Sequence, residues 1–244
     1  NTELEGQPAV VGTESKIDFS WPDGNVEGLN SPVEGIQTSD YSARWSAELN
    51  VAYSGVYRFV INVNNSGRLW LDDRLIIERW PNSGAYPEYT SKGIELVAGR
   101  SYSLVMEWNK YNSGALATLE WIDPFGERTM IRPGELQLPL RANSPKPSSG
   151  QIDVTHTAIL NWNSGYKASR HDVYFGEDAE AVANADTSSP EYKGTRELGS
   201  ESYELGELQW NTTYYWRVDE VNDVDSGSPW IGHVWSFTTG DFLV

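Results

Sequence analysis

The sequence predicts an all-β protein that is divided into two domains. Short runs of aromatic and β-branched residues recur along the chain, and Gly, Pro, Asn, Asp or Ser separates each run from the next. Almost no segment keeps a helical period, the best candidate being a short Ala-rich stretch at 178–185. Many short strands at close spacing are typical of β-sandwiches and β-barrels. A chain of 244 residues has room for two such domains, each with its own core.

The composition argues against several classes of function. The chain has 18 basic and 35 acidic side chains and a net charge of −17, whereas proteins that bind nucleic acid or anionic membranes carry clusters of Lys and Arg. It has no cysteine, so disulfides, thiolate metal sites and cysteine nucleophiles are excluded. No apolar run approaches the roughly 20 residues of a membrane span. We therefore expect no nucleic-acid partner and no membrane insertion.

The first domain is predicted to hold most of the longer strands. Its candidate strands are the apolar runs at 17–21, 56–63, 68–71, 74–80, 102–108 and 117–121. The pair Asp72–Asp73 is predicted to form a hairpin turn, because aspartate tolerates the positive φ angles that such turns require. Tryptophans on the strands are predicted to lie in the core, namely Trp21, Trp45, Trp70, Trp108 and Trp121.

The second domain is predicted to follow a short linker. Proline, serine and glycine are densest around 143–150, a segment without an apolar anchor. We therefore expect a first domain at 1–142, the linker at 143–150 and a second domain at 151–240. The candidate strands of the second domain lie at 158–162, 169–176, 213–220 and 234–239. A tyrosine after the turn near 210 fits the corner found in many β-sandwiches.

The first domain carries a set of short motifs in a fixed order. They are Tyr41-Ser-Ala-Arg-Trp45, Ser54-Gly-Val-Tyr-Arg-Phe59, Gly67-Arg-Leu-Trp-Leu-Asp72, Trp80, Leu96-Val-Ala-Gly99 and Leu119-Glu-Trp121. In this order the motifs resemble the PA-fourteen (PA14) domain, a β-barrel module shared by anthrax protective antigen, adhesins and many glycosidases. The resemblance covers residues 1–140. The opening strand of the family is missing, so we expect the chain to be a piece of a longer protein.

The resemblance also implies the position of a binding site. In the sugar-binding members of the family, the loop before the Gly-Arg-Leu-Trp-like strand carries two adjacent aspartates joined by a cis peptide. They hold a calcium ion that bridges to sugar hydroxyls, and an Asn from a later loop completes the site. The matching positions are Asn64 and Asn65, with Asn112 as the third ligand. Since calcium prefers charged oxygen ligands, these three amides are weak calcium candidates.

A glycan could also be held without a metal ion. Amide groups supply hydrogen-bond donors and acceptors, and aromatic side chains in loops supply stacking surfaces. The predicted glycan-binding residues are Asn64, Asn65, Trp80, Tyr86, Tyr89, Tyr111 and Asn112. For the three tyrosines the alternative is ordinary packing beneath a loop.

Two aromatic motifs characterise the second domain. Tyr214-Tyr-Trp-Arg-Val218 and Trp235-Ser-Phe-Thr-Thr239 resemble strands of the fibronectin type III domains in secreted bacterial proteins. Such domains are strung between catalytic and binding modules, so the resemblance implies a spacer.

No sequence pattern indicates catalysis. The three histidines, His156, His171 and His233, lack metal-ligand spacing, and two of them fall on predicted strands where a structural role is expected. A nucleophile elbow and a phosphate-binding glycine loop are also missing. We therefore expect no catalytic residues and no enzyme activity of the chain by itself.

Together these patterns predict a non-catalytic carbohydrate-binding or substrate-guiding accessory module. Its parent would be a larger secreted or cell-surface protein, such as a glycosidase or an adhesin. The expected partners are a polysaccharide or glycan and other domains of the same polypeptide, with calcium as a weak cofactor candidate. The alternative is a purely structural spacer or cell-surface assembly unit that binds no ligand.

Overall fold

A computed structural model of the chain confirms the all-β class. It describes residues 4, 8–21, 36, 40–80, 88–110 and 115–241. These residues form nineteen β-strands, one α-helix and a short 3₁₀ turn at Pro133–Glu135. The chain divides into two compact units, Asn1–Gln137 and Leu138–Val244. Within the described residues, no helix has the length and apolar character that a membrane span requires.

The first unit contains two antiparallel sheets. Its strands are β1 (Asp18–Trp21), β2 (Tyr41–Asn50), β3 (Gly55–Val63), β4 (Ser66–Leu71), β5 (Arg74–Arg79), β6 (Glu88–Thr90), β7 (Ile94–Leu96), β8 (Ser101–Lys110), β9 (Ala115–Ile122), β10 (Arg128–Met130) and β11 (Leu136–Gln137). One sheet, the β3 sheet, has the order β1-β9-β3-β6, with β10 paired to β9 and β7 paired to β3. The other, the β8 sheet, has the order β11-β2-β8-β4-β5.

The core of the first unit is formed by apolar side chains of both sheets. Because side chains alternate between the two faces of a strand, every second residue of β3, β4 and β9 points inward. Phe59, Ile61 and Leu119 from the β3 sheet share one buried cluster with Leu69 and Trp108 from the β8 sheet. The predicted hairpin turn at Asp72–Asp73 is confirmed, with φ angles of 46° and 59°.

The prediction that the strand tryptophans lie in the core holds for some and fails for one. Trp108 and Trp121 are buried, and Trp45 packs against Trp108 with ring centroids 6.2 Å apart. Trp70 is the exception, since Leu69 and Leu71 take the inward positions of β4 and leave Trp70 half-buried on the opposite face. The side chain of Trp21 lies outside the described part of the structure.

The second unit also contains two sheets. Its elements are β12 (Asn143–Lys146), β13 (Gln151–Val154), β14 (Ile159–Asn163), β15 (Arg170–Gly176), α1 (Ala179–Asn184), β16 (Tyr192–Glu197), β17 (Ser202–Glu204), β18 (Thr213–Val221) and β19 (Trp235–Thr239). The strand orders are β12-β14-β17 and β13-β19-β18-β15-β16. All pairs are antiparallel except β13 with β19, which run parallel. The core contains Trp216, Trp235 and Phe237.

Each unit contains a tyrosine that closes a corner between strands. In the first unit the Tyr102 hydroxyl accepts a hydrogen bond from the Val97 backbone N–H at 2.7 Å. In the second unit the Tyr214 hydroxyl accepts one from the Gln209 N–H at 3.0 Å, which confirms the predicted corner. Both tyrosines stand near the start of a long strand and bond backward to the turn that precedes it.

The division of the chain differs from the boundaries that the sequence suggested. The boundary between the units lies between Gln137 and Leu138 in the sequence. The first half of the predicted linker forms β12, which pairs with β14. Asn143 and Pro145 are buried there, and Ala142 belongs to the core of the second unit. The Pro- and Ser-rich composition therefore did not indicate a linker at 143–146, because burial of Asn143 and Pro145 holds this part of the segment in a sheet.

The predicted Ala-rich helix is present as α1. Asp178 caps its N-terminus, since one carboxylate oxygen accepts hydrogen bonds from the N–H groups of Glu180 and Ala181 at 2.8 and 2.9 Å. At the other end, the guanidinium of Arg217 donates to the carbonyl oxygens of Val182 and Ala185, both at 2.7 Å. The six-residue helix is thus fixed at both ends.

A histidine lies between two carboxylates inside the second unit. His171 and Glu220 are fully buried, and their Nδ1 and Oε2 atoms are 2.6 Å apart. Glu201 approaches the other ring nitrogen at 3.3 Å. Burial favours the neutral imidazole, but the hydrogen bond to Glu220 and the two negative charges outweigh it, so the pKa of His171 is raised. The expected structural role of His171 thus takes the form of a buried ionic hydrogen bond.

The second unit is expected to lose stability as the pH rises through the pKa of His171. Because this pKa is higher in the folded state than the usual value near 6.5, the stabilisation is complete below about pH 6.5 and is lost above the folded-state pKa. Hydrogen exchange of the β15 and β18 amides in urea, measured from about pH 5.5 to about pH 9, reports the change.

The variant His171→Gln should show a much flatter dependence of stability on pH over this range. The variant His156→Gln is the matched control, because His156 stacks on Trp210 away from this pair. Equal pH dependence in the wild type and His171→Gln would contradict the prediction.

Candidate binding site

The turn between β3 and β4 lies where the sequence predicts a binding loop. It consists of Asn64 and Asn65, whose residues are only 2% and 9% exposed. The Asn64 N–H donates to the Leu116 carbonyl oxygen at 2.8 Å, and the Asn64 carbonyl oxygen accepts from the Trp108 indole N–H at 2.8 Å. Asn65 has a φ of 76°, a conformation that asparagine adopts more readily than most residues. The turn is therefore fixed by bonds to both sheets.

Polar residues of three neighbouring strands meet beside this turn. In the β8 sheet, Asn109 lies opposite Ser66 of β4 on one side and opposite Ser42 of β2 on the other. Tyr41 lies opposite the next residue, Lys110, whose ammonium group is 5.5 Å from the centre of the tyrosine ring. The end of the β8 sheet thus carries a row of amide and hydroxyl groups that continues from the turn.

In the part of this region that the structure describes, two hydroxyl groups are buried and have no hydrogen-bond partner. They are the Ser66 Oγ and the Tyr41 phenol, and both residues are almost fully buried. Burial raises the pKa of Tyr41 to about 12, so this phenol keeps its proton at neutral pH. A buried hydroxyl without a partner costs stability, so such groups call for a bound molecule or a function.

Two of the predicted aromatic residues lie near the same end. Trp80 directly follows β5, and Arg79 before it lies opposite Gly67, which places Trp80 beside the start of β4. Tyr89 belongs to β6 and lies opposite Ile61, near the end of β3. The structure therefore brings Asn64, Asn65, Trp80 and Tyr89 to one end of the first unit. Three further predicted site residues, Tyr86, Tyr111 and Asn112, lie outside the described residues.

A cluster of two arginines and one glutamate lies on the outer face of the β8 sheet. Glu107 of β8 accepts hydrogen bonds from Arg44 of β2 and from Arg68 of β4, the shortest of them 2.5 and 2.6 Å long. The guanidinium of Arg68 lies between two indoles, 4.1 Å from the Trp80 ring centre and 5.2 Å from that of Trp70. Arg44, Glu107 and Arg68, here called the arginine triad, are thus rigidly held.

Comparison with known proteins establishes the family of the chain. The family model described as the PA14 domain matches residues 1–134, which is more than half of the chain. The chain belongs to the PA14 domain family. The PA14 domain is a non-catalytic binding module, so the prediction that the chain is not an enzyme by itself is confirmed.

Relatives of this PA14 chain include an anti-sigma factor and protective antigen. It is 31% identical over 120 residues to the anti-sigma-I factor RsgI3 of Acetivibrio thermocellus, an overlap of 49% of this chain and 17% of that protein. It is 29% identical over 135 residues to protective antigen of Bacillus anthracis, or 54% of this chain and 16% of that protein. The chain therefore spans less than a fifth of the length of these relatives.

Among solved structures, an anti-sigma factor domain-containing protein from Clostridium clariflavum is similar to the PA14 chain over both units. The TM-score is 0.49 at 22% sequence identity, and the match covers 92% of this chain and 68% of that one.

The described residues of the PA14 unit do not fit the calcium site that the resemblance implied. The turn offers two neutral amides, and calcium favours carboxylates. The Asn64–Asn65 peptide is trans, since the cis bonds of the described residues are Lys146–Pro147 and Ser228–Pro229. In the same part of the chain, no group of three or more His, Asp and Glu side chains is placed to hold a metal ion.

Sequence patterns missed four polar residues of this region: Tyr41, Ser66, Asn109 and Lys110. Each stands within the first or last two positions of a strand, where a polar residue is unremarkable in sequence. Their grouping depends on the register of β2, β8 and β4, which brings together residues more than 40 positions apart. The one available signal was the pair Asn109–Lys110 at the end of an apolar run.

Proposed function

We propose that the PA14 unit is a metal-independent glycan-binding module whose site lies at the β3–β4 turn. The observation that carries this proposal is the grouping of amide and hydroxyl side chains with Trp80 at one end of the unit. Asn64 and Asn65 form the turn, and the fully buried Ser66 and Asn109 support it from the strand ends, so a glycan would contact the turn and Trp80. The membership of the PA14 family supports a binding role for this unit.

The chemistry of these groups suits a sugar. Amides and hydroxyls both donate and accept hydrogen bonds, as the hydroxyls of a sugar ring do. A tryptophan offers a flat apolar surface to the C–H face of the ring, and Trp80 is held in place by the guanidinium of Arg68. Because the turn is fixed by hydrogen bonds to the Leu116 carbonyl oxygen and from the Trp108 indole N–H, little conformational entropy is lost when a ligand binds.

For the second unit we propose a fibronectin type III-like sandwich that acts as a spacer. Its three-stranded and five-stranded sheets and the tyrosine corner at Tyr214 support this assignment. Its polar groups are engaged in structural contacts such as the His171–Glu220 pair and the Arg217 bonds to α1. The spacer would connect the PA14 unit to other domains of the same polypeptide.

The parent protein is proposed to expose this chain at the cell surface. The overlap with less than a fifth of two relatives supports a multidomain parent. The names of the relatives favour a regulator of the anti-sigma factor type over a glycosidase or an adhesin as that parent. The glycan-binding unit would then report the presence of a polysaccharide to the rest of the protein.

Binding should depend on Trp80 and should not depend on calcium. Affinity gel electrophoresis against a panel of neutral and acidic polysaccharides, followed by calorimetry, identifies a ligand. Trp80→Ala is expected to weaken its binding about tenfold or more, as loss of a tryptophan at the centre of a site usually does. Phe125→Ala is the matched control, because Phe125 is 73% exposed in the turn between β9 and β10, far from Asn64.

Addition of EDTA should leave the affinity unchanged. Loss of binding in EDTA would contradict a metal-independent site. Equal binding by the wild type and Trp80→Ala would show that Trp80 does not contact the ligand. A wild type that is retarded by none of the polysaccharides would favour the alternative, a spacer without a ligand.

A further inference from the structure

We propose that a cavity in the second unit binds an arginine side chain from a basic peptide segment of a partner. The cavity has a volume of about 490 Å³ and opens on the outer face of the five-stranded sheet, opposite the core. Asp172 and Tyr174 of β15 and Asp219 of β18 line it, and the segments 185–187 and 222–231 form its sides. A binding role here goes beyond that of a spacer and does not depend on glycan binding by the first unit.

Two buried aspartates face each other in this cavity. Asp172 lies directly opposite Asp219 in the pairing of β15 with β18, and the two residues are 8% and 3% exposed. Like charges at opposite positions of neighbouring strands destabilise a sheet. Burial raises the pKa of Tyr174 on the same face to about 12, and the charges of both aspartates add to this effect. A cation bound in the cavity would relieve this accumulation of negative charge.

The carboxylate of Asp172 has an acceptor that the protein does not use. Its Oδ1 atom accepts hydrogen bonds from the hydroxyl groups of Thr195 and Tyr192, at 2.6 and 3.3 Å. Its Oδ2 atom accepts none from the described residues, and Asp172 forms no ion pair with any of them. Because a carboxylate this deeply buried is costly without a countercharge, the side chain calls for a cationic partner.

Two arginines on the same face of the sheet are held by other aspartates. Arg217 pairs with Asp219, to which its Nη2 atom donates at 3.0 Å. Arg170 lies two residues before Asp172 on β15, but its guanidinium is hydrogen-bonded to Asp223. Each of these cations thus already has a carboxylate partner, which leaves Asp172 for a cation from outside the unit.

The remaining lining suits a long side chain with a charged end. Val221, Pro229 and Ile231 add apolar surface to the cavity. Arginine lays its methylene stem along such surface, and its planar guanidinium can donate two parallel hydrogen bonds to a carboxylate. Across the described residues, no three or more His, Asp and Glu side chains are placed to hold a metal ion. The carboxylates are therefore better spaced for an extended organic cation.

The charge of the cavity complements a basic segment. Its charged lining residues are one base and five acids, namely Arg170, Asp172, Asp186, Asp219, Asp223 and Asp225. The chain as a whole has a net charge of −17. A negative cavity on an acidic protein attracts a basic partner over a distance and favours its correct orientation.

The test is an NMR titration of the isotope-labelled intact chain with two peptides. One short capped peptide carries a single arginine, and the other carries citrulline, which has nearly the same shape and no charge. The arginine peptide is expected to bind about tenfold more tightly or better. The amide signals of Asp172, Asp219 and Gly232 should shift, because the Gly232 N–H donates to the Asp219 carboxylate at 2.9 Å.

Replacing Asp172 with asparagine should weaken binding of the arginine peptide about tenfold. The variant Asp172→Asn keeps an acceptor for Thr195 and Tyr192 and removes the repulsion with Asp219, so it should remain folded. Glu207→Gln is the matched control. It removes the same charge from an exposed position between β17 and β18, outside the cavity lining.

Several results would overturn the inference. Equal binding of the two peptides, or equal affinities of Asp172→Asn and Glu207→Gln for the arginine peptide, would show that no guanidinium binds at Asp172. Shifts spread over the acidic surface would indicate unspecific attraction. If spermidine or calcium chloride shifted the same amides at lower concentration than the arginine peptide, the ligand would not be a peptide. The comparison of peptides on the wild type requires no variant, and none of these results bears on glycan binding.

Discussion

Replacing Trp108 with alanine is expected to lower the free energy of unfolding of the first unit by about 3–5 kcal/mol. The indole is fully buried between the sheets and is among the largest buried side chains of the chain. It contacts Trp45 and Tyr41, with ring centroids 6.2 and 5.5 Å apart. Its N–H also holds the carbonyl oxygen of Asn64, so the substitution leaves a cavity and an unpaired carbonyl together.

Hydrogen exchange of the β3 and β8 amides, followed in increasing urea, measures this loss in the intact chain. Trp108→Phe keeps an aromatic ring in the core and loses the indole N–H together with part of the side-chain volume, so it should cost markedly less. The exposed residue Phe125 provides the control, because Phe125→Ala should stay within about 0.5 kcal/mol of the wild type. If Trp108→Ala and Phe125→Ala proved equally stable, the indole would not be a core residue.

Replacing Arg217 with methionine is expected to destabilise the second unit by about 3–5 kcal/mol, because it removes one partner of a buried ion pair. Arg217 is buried, and its guanidinium donates to the Asp219 carboxylate at 3.0 Å and to the last carbonyl groups of α1. Without it, the buried Asp219 carboxylate loses its countercharge. The C-terminal end of α1 also loses the donors that satisfy its carbonyl oxygens.

Hydrogen exchange of the α1 and β18 amides should show this loss, with α1 opening first. Arg217→Lys preserves the charge but not the planar fork, so it should retain only part of the stability. Lys146→Met is a suitable control, since Lys146 is exposed at the end of β12. Unchanged protection of α1 in Arg217→Met would show that the guanidinium is not its C-terminal anchor.

Sequence patterns were sufficient for most strands of the first unit and for the position of the β3–β4 turn. Alternation and turn residues located β3, β4, β8 and β9, and a hairpin at Asp72–Asp73 followed from local conformational preferences. The family motifs placed Asn64 and Asn65 directly before β4. These features are local, so the sequence of a few neighbouring residues determines them.

Features that depend on pairing between distant strands could not be predicted in this way. The arginine triad joins β2, β4 and β8, and His171 meets a glutamate 49 residues away. The prediction that Trp70 lies in the core was wrong. Alternate residues of β4 face opposite sides of the sheet, and only the sheet pairing shows which side is the core. The composition of 143–150 suggested a linker, but the first half of this segment forms β12 and pairs with β14.

The parallel pairing of β13 with β19 has a mechanical consequence for the second unit, which we propose to be a spacer. The two strands are near the beginning and the end of the second unit, and Gln151 lies opposite Phe237 while Val154 lies opposite Thr239. A pull on both ends of this unit would draw the two strands past each other in opposite directions. Their hydrogen bonds would then be loaded together in shear instead of opening one after another, so the pairing resists tension along the polypeptide.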